Sequence, residues 1–221
     1  MCCFLGFDTT SPIVATAIHN GHTLRPGLAE QMTISESARL REEDPYTGLL
    51  AEVSACRIIA EKSRFEVDLN RSREKAVYRT SKDAWGLRVW KNIPNASLIE
   101  VSLDYYDSFY AEAEEACSDL ITRFGQIVVL DIHSYNHRRL GTDGPPAEPQ
   151  NNPEINIGCQ SVNMDIWKNM VDAFQEQLRT QYVCNKPLDV RSNVKFGGGH
   201  FVRHLHRTFP TQICALALEF K

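Results

Sequence analysis

The sequence predicts an α/β domain of three layers, with helices on both faces of a mainly parallel or mixed sheet. Short apolar, β-branched runs alternate along the chain with longer stretches whose apolar residues recur every three to four positions, and several of the short runs are apolar on both faces, as strands between two helix layers are. Length agrees: 221 residues at 43 % hydrophobic content suffice to bury one large core, so residues 1–221 are read as a single domain.

The elements follow in order. Ile13-Val-Ala-Thr-Ala-Ile18, between Ser11-Pro12 and Asn20-Gly21, predicts a buried strand emptying into a turn, with His19 at its carboxyl end. Tyr46 to Glu61 repeats Leu49, Leu50, Val53, Ile58 and Ile59 at helical intervals, whereas Arg64-Phe-Glu-Val-Asp-Leu69 alternates as a half-buried strand does and ends on Asn70-Arg71. Asp107 to Arg123 recurs at Phe109, Tyr110, Ala113, Cys117, Leu120 and Ile121, with Gly125 placed as a helix cap. A strand from Ile127 to Ile132 follows at once and delivers Asp131 and His133. Leu140 to Pro153 holds four prolines and two glycines and reads as a surface loop. Beyond it come a helix from Asp165 to Gln181, a turn at Asn185-Lys-Pro187, the loop Phe196-Gly-Gly-Gly199, a helical segment from Phe201 to His206 and a last strand from Ile213 to Leu218.

Composition excludes several classes of partner. The 24 Lys+Arg face 28 Asp+Glu, a net charge of −4, and neither sign gathers into a block, so no nucleic-acid partner is expected. No apolar run reaches bilayer-spanning length, and Met1-Cys-Cys-Phe-Leu-Gly6 lacks the regions of a secretory leader, which makes a cytoplasmic location the expectation and a membrane partner not. The seven cysteines show no CxxC pairing and are expected to be mostly reduced and buried; Cys184 and the exposed-looking Cys2-Cys3 pair are the candidates for reactivity, though no nearby charge singles out an activated thiolate. The seven histidines are more informative: six form the pairs His19 and His22, His133 and His137, His200 and His204, with His206 following.

Ligands of open α/β sheets bind beyond the carboxyl ends of strands, where this reading puts His19, Asn70-Arg71, His133 and Glu219. Two histidines, an arginine and a glutamate are ingredients of a metal hydrolase. Each has a plainer explanation as well. His19 alone is more often a turn or core histidine, and in Asp131-x-His133 the aspartate either holds the second N–H of a metal-bound imidazole or braces a structural one. Glu42-Glu43-Asp44 is a source of a carboxylate ligand or a solvated charge run. Arg71 offers a guanidinium fork to a substrate carboxylate. Glu219, directly after an apolar strand, either caps a sheet edge or projects into a site where desolvation raises it toward a general base. Gly197-Gly198-Gly199 lacks the Lys-Ser/Thr of a phosphate-binding loop.

Eight short motifs in order, Ala17-Ile-His-Asn-Gly21, Arg41-Glu-Glu-Asp-Pro-Tyr-Thr47, Val67-Asp-Leu-Asn-Arg71, Val129-Leu-Asp-Ile-His-Ser-Tyr-Asn-His-Arg-Arg139, Pro153-Glu-Ile-Asn-Ile-Gly158, Asp189-Val-Arg-Ser-Asn-Val-Lys-Phe196, Gly198-Gly-His200 and Ala217-Leu-Glu-Phe-Lys221, resemble the N-formylglutamate amidohydrolase family, placed with the zinc carboxypeptidases and aspartoacylases. The resemblance implies a phosphorylase/hydrolase-like fold and a zinc-dependent cut of the amide of a small N-acyl amino acid. One zinc ion would be held by His19, His133 and a carboxylate from the Arg41 to Thr47 motif, Asp44 being favoured and Glu43 the rival. Asn70 and Arg71 match the pair that binds the substrate carboxylate, and Glu219 matches the base. Arg64, Arg138 and Arg203 are candidates for stabilising the oxyanion or a second carboxylate. The chain stops two residues after Glu219, where the family continues, so a domain truncated at its carboxyl end is expected. Two other readings compete: a non-catalytic relative that binds a carboxylate or a protein partner, and a zinc carboxypeptidase acting on short peptides.

Overall fold

A computed structural model describes residues 10–221, so Cys2, Cys3 and the opening segment lie outside the described residues. Its elements run β1 (Ile13–Ala17), α1 (Glu36–Glu42), α2 (Thr47–Leu50), β2 (Cys56–Ile59), α3 (Ala96–Phe124), β3 (Ile127–Ser134), β4 (Ile155–Gly158), α4 (Met164–Arg179), β5 (Tyr182–Val183), β6 (Lys186–Pro187), β7 (Val190–Ser192), α5 (His200–Thr208) and β8 (Ile213–Phe220). Six strands form one sheet in the order β2-β1-β3-β8-β4-β7, and β5 and β6 form a separate hairpin. Pairing is parallel except between β8 and β4, so the sheet is mixed and mostly parallel.

Side chains of the central strands alternate into two cores. Val14, Val129, Ala215 and Ala217 pack toward Leu103 and Phe109 of α3 and Phe201 and Leu205 of α5. Ala15, Leu130, Leu216 and Leu218 pack on the other face with Trp167 and Val171 of α4. That is the three-layer α/β/α arrangement expected of strands apolar on both faces. Among the described residues no helix is long and apolar enough to cross a membrane.

Helix α3 is longer than its sequence pattern implied. Asn95 caps it by accepting from the Leu98 N–H at 2.9 Å, and Gly125, at φ +77°, closes it with an N–H to the Ile121 carbonyl at 2.7 Å. The first turns were hidden because the buried stripe runs through Ser102, whose hydroxyl accepts from Arg25 at 2.9 Å, where an apolar residue would have shown the period.

Two expectations fail. The stretch from Tyr46 to Glu61 is not one helix: α2 and a 3-10 turn occupy Thr47 to Val53, and β2 takes the remainder. Ser54 makes the break, donating to the Ile13 carbonyl at 2.6 Å and accepting from the Cys56 N–H at 3.1 Å, so that Cys56-Arg-Ile-Ile59 pairs with Val14 to Ala17. Arg64 to Leu69 is not a strand either. Phe65, Val67 and Leu69 are buried, but so are Glu66 and Asp68, and the backbone turns on itself through Glu66 N–H to Ser63 O at 2.9 Å. Asn70 and Arg71 therefore follow a buried coil and not a strand end. The predicted turn near Asn185 is the β5–β6 hairpin, with Cys184 and Asn185 both at positive φ. Cys184 is exposed, while Cys56, Cys117, Cys159 and Cys214 are buried.

His206 ties α5 to the sheet. Its Nε2 accepts from the Ala215 N–H at 2.9 Å and its Nδ1 faces the Ser161 hydroxyl at 2.8 Å, a pairing that needs the neutral ring. Burial pushes its pKa down from 6.5 to about 4. Below pH 6.5 the unfolded chain binds a proton that the folded one refuses, so this contribution is intact above 6.5 and is lost as pH falls toward 4. Urea midpoints measured across that window are expected to fall more steeply for the wild type than for His206→Gln; equal slopes would refute the assignment.

Candidate metal centre

The site sits at the carboxyl ends of β1, β3 and β8, on the face covered by α3 and α5. β1 ends at Ala17, and the chain turns through His19-Asn-Gly21 with the Asn20 N–H on the Ala17 carbonyl at 3.3 Å. Gly21 is required because a Cβ there would lie 2.3 Å from the carbonyl carbon of Glu61. The Asp44 N–H donates to the His19 carbonyl at 3.0 Å, bringing the loop after α1 against this turn. β3 carries Asp131 and His133 on one face, and β8 places Glu219 in register with His133 on the same face.

His19, Asp44 and His133 come together, fully inside the protein, each offering one donor atom within 4.8 Å of the others. Asp44 Oδ2 lies 3.4 Å from His19 Nδ1 and 2.9 Å from His133 Nδ1. Donors bound at about 2.1 Å in a tetrahedron are about 3.4 Å apart, so the spacing suits a small divalent ion. The opposite nitrogens are anchored: His19 Nε2 meets Asp68 Oδ1 at 2.7 Å, and His133 Nε2 meets Asp131 Oδ2 at 2.9 Å. Asp131 is itself held by the Thr16 hydroxyl at 2.6 Å. With Nε2–H on its aspartate, each ring would present the Nδ1 lone pair to an ion, as carboxylates behind metal-bound imidazoles arrange.

Without an ion the surrounding carboxylates favour a charged His133 ring, and a metal ion would displace the proton from its Nδ1. Burial pushes the Asp44 carboxyl up, but hydrogen bonds from His133 and His19 and their charge hold it far below the usual carboxylate range. Burial disfavours the charged His133 ring, yet Asp131 and Asp44 outweigh it and the pKa rises. Glu219 is different: burial, with only partial relief from His133, pushes it up to about 7. A carboxyl at that value takes and returns a proton near neutrality.

Asp68, which no local pattern singled out, also belongs to this cluster. Besides His19 it accepts from the Asn70 N–H at 2.9 Å, Arg64 Nη2 at 3.0 Å and the Tyr78 hydroxyl, and its Oδ2 forms an ion pair with Arg71 Nε at 3.3 Å. Burial would raise its pKa, but Arg64 and His19 keep it well below the ordinary value. Arg64 and Arg71 are thereby gathered beside the His19 end of the trio. Asn70 sits between its partners: its Oδ1 accepts from the Phe201 N–H at 3.1 Å, and its amide nitrogen lies 3.4 Å from His133 Nε2.

Glu43, the rival carboxylate, is buried but points elsewhere. Its oxygens take the Ser63 hydroxyl, Arg39 Nη1 at 3.3 Å and His22 Nδ1 at 2.5 Å. Arg138 donates to the Gly144 carbonyl at 2.5 Å and braces the Leu140 to Pro153 loop, while exposed Arg203 donates to the Gly198 carbonyl at 2.5 Å. His204 pairs with Glu114 at 2.5 Å, one of several histidines committed outside the trio.

Lys195 is a second residue that no local pattern marked. The fully buried Asn156, cross-strand partner of Glu219, accepts the Val194 and Lys195 N–H groups at 3.0 and 2.9 Å. That sets the Lys195 backbone, while its ammonium donates to Asn152 Oδ1 at 2.6 Å and lies 5.0 Å from the Tyr135 ring and 5.6 Å from the Phe196 ring.

Solved structures share this architecture. The crystal structure of an N-formylglutamate amidohydrolase from Ralstonia eutropha JMP134 superposes with a TM-score of 0.72 at 16 % identity, over 95 % of this chain and 81 % of that one. A gene product from Agrobacterium tumefaciens superposes at 0.65 and 18 % identity, over 96 % of this chain and 81 % of that one. No curated protein matches. The family model described as N-formylglutamate amidohydrolase matches residues 11–221, which takes in the whole trio, its two anchoring aspartates and Glu219, and this chain therefore belongs to the N-formylglutamate amidohydrolase family.

Proposed function

We propose that the chain hydrolyses the amide bond of an N-acyl amino acid of the N-formylglutamate kind, with one zinc ion held by His19, Asp44 and His133. The observation that carries the proposal is the pairing of each imidazole with a buried aspartate, which leaves both Nδ1 atoms and an Asp44 oxygen directed to one small volume. A histidine pair serving only the core would not need three carboxylates around it. Two imidazoles and a carboxylate suit zinc, and the same donors accept Mn, Co or Ni.

When bound, the ion lowers the pKa of its water to about 7 and polarises the amide carbonyl. The chain's own residues do the rest. Arg71, its Nε on Asp68, offers its other nitrogens to the substrate carboxylate. Arg64 adds positive charge close to the developing oxyanion, and such a charge lowers a barrier by about 3 kcal/mol. Glu219 takes a proton from the attacking water as the new C–O bond forms, then passes it to the amine nitrogen as the C–N bond breaks. Lys195, within electrostatic reach of Glu219, supplies a further cation suited to a second carboxylate.

A panel of N-formyl, N-acetyl and short-peptide substrates tests the reading. Release of free amino acid from an acidic N-acyl substrate, abolished by a chelator and restored by zinc, is the expected result. Faster turnover of peptides would favour a carboxypeptidase, and no turnover with any member would leave a non-catalytic binding protein.

A further inference from the structure

Trp85 is half exposed, at 48 %, and its backbone sits at φ +52°, a region that bulky side chains avoid. The loop holds it there. Asp83 accepts the Arg79 and Thr80 N–H groups at 3.0 and 2.8 Å, and the Gly86 N–H donates to the Ser81 carbonyl at 2.7 Å. Strain of this kind persists where the surroundings over-determine it, and it clusters at ligand clamps. Here the indole lies over two guanidiniums, 4.8 Å from that of Arg64 and 5.7 Å from that of Arg71, and meets the Tyr78 ring edge-on at 5.9 Å.

Tyr78 covers Arg71 as well, at 4.8 Å, and its carbonyl is fixed by Trp90 Nε1 at 2.7 Å. Arg64 is consumed by Asp68 and the Tyr78 hydroxyl. Arg71 is engaged through Nε alone, so its terminal nitrogens have no hydrogen-bond partner among the described residues. A long flexible arginine with a free fork is held by two ring faces and one carboxylate.

We propose that Trp85 is a positioning residue of the substrate pocket, pressing Arg71, with Arg64 beside it, into the arrangement that receives a ligand carboxylate. The inference rests on the amidohydrolase reading for what the carboxylate belongs to. Core packing does not account for a half-exposed indole in a left-handed conformation; stacking on two cations does.

The test uses the full chain loaded with zinc, with L-glutamate as the binding probe in calorimetry and N-formyl-L-glutamate as substrate. Trp85→Gly suits the positive φ and leaves the loop its conformation, and Trp85→Phe keeps a ring face. Trp85→Gly is expected to weaken glutamate binding and raise KM by about five- to tenfold, with kcat within about twofold and zinc content unchanged, and Trp85→Phe is expected to recover most of the loss. Wild-type affinity and KM in Trp85→Gly would overturn the proposal, as would a loss confined to kcat, no recovery in Trp85→Phe, or no glutamate binding by the wild type. If the wild type binds glutamate but hydrolyses no acyl amino acid, the amidohydrolase reading fails alone, and the binding comparison still decides the role of Trp85.

Discussion

Replacing Glu219 with Gln is expected to lower kcat by about 10²–10⁴-fold while the protein keeps its metal and its substrate affinity. The substitution is nearly isosteric on a strand locked by its neighbours, with His133 in register on one side and Asn156 on the other. It removes the group that accepts the proton and leaves the trio of His19, Asp44 and His133 intact. Stopped assays of amino-acid release beside elemental analysis of the same sample check it. Retained turnover would remove Glu219 from the reaction, and lost metal would make it a ligand.

The second large effect separates two adjacent carboxylates. Asp44→Asn is expected to weaken zinc binding by more than about a hundredfold, beyond the 10–100-fold typical of an outer-shell change, and to reduce hydrolysis to background. Glu43→Gln is expected to leave zinc affinity within about tenfold and instead to cost about 1–3 kcal/mol of stability, because Arg39, Ser63 and His22 lose a shared acceptor. Zinc titration with thermal melts of both variants resolves the pair. The reverse pattern would make Glu43 the ligand.

The legible part of the fold was whatever announces itself locally. The apolar runs of β1, β3 and β8 placed His19, His133 and Glu219 at or near strand ends, because a strand buried on both faces is a continuous apolar string. Asp68 was hidden for a physical reason: alternation in Arg64 to Leu69 assigned it to a solvent face, whereas tertiary partners bury it with both its neighbours. β2 was hidden because a helix turn and a strand lie end to end, and five apolar residues fit one period across both. Choosing between Glu43 and Asp44 needed contacts with residues 20 positions away or more, such as Ser63 and His133. Lys195 needed more still, since its place in the loop after β7 depends on Asn156 and Asn152, both distant in sequence.

His19, Asp44 and His133 are proposed to hold one catalytic ion. Titrating chelator-stripped protein with zinc, and following hydrolysis of N-formyl-L-glutamate in the same samples, tests this most directly. A single high-affinity equivalent is expected, missing in His133→Ala, with turnover rising in proportion to occupancy. Full turnover in the stripped protein, or an unchanged equivalent in His133→Ala, would contradict it.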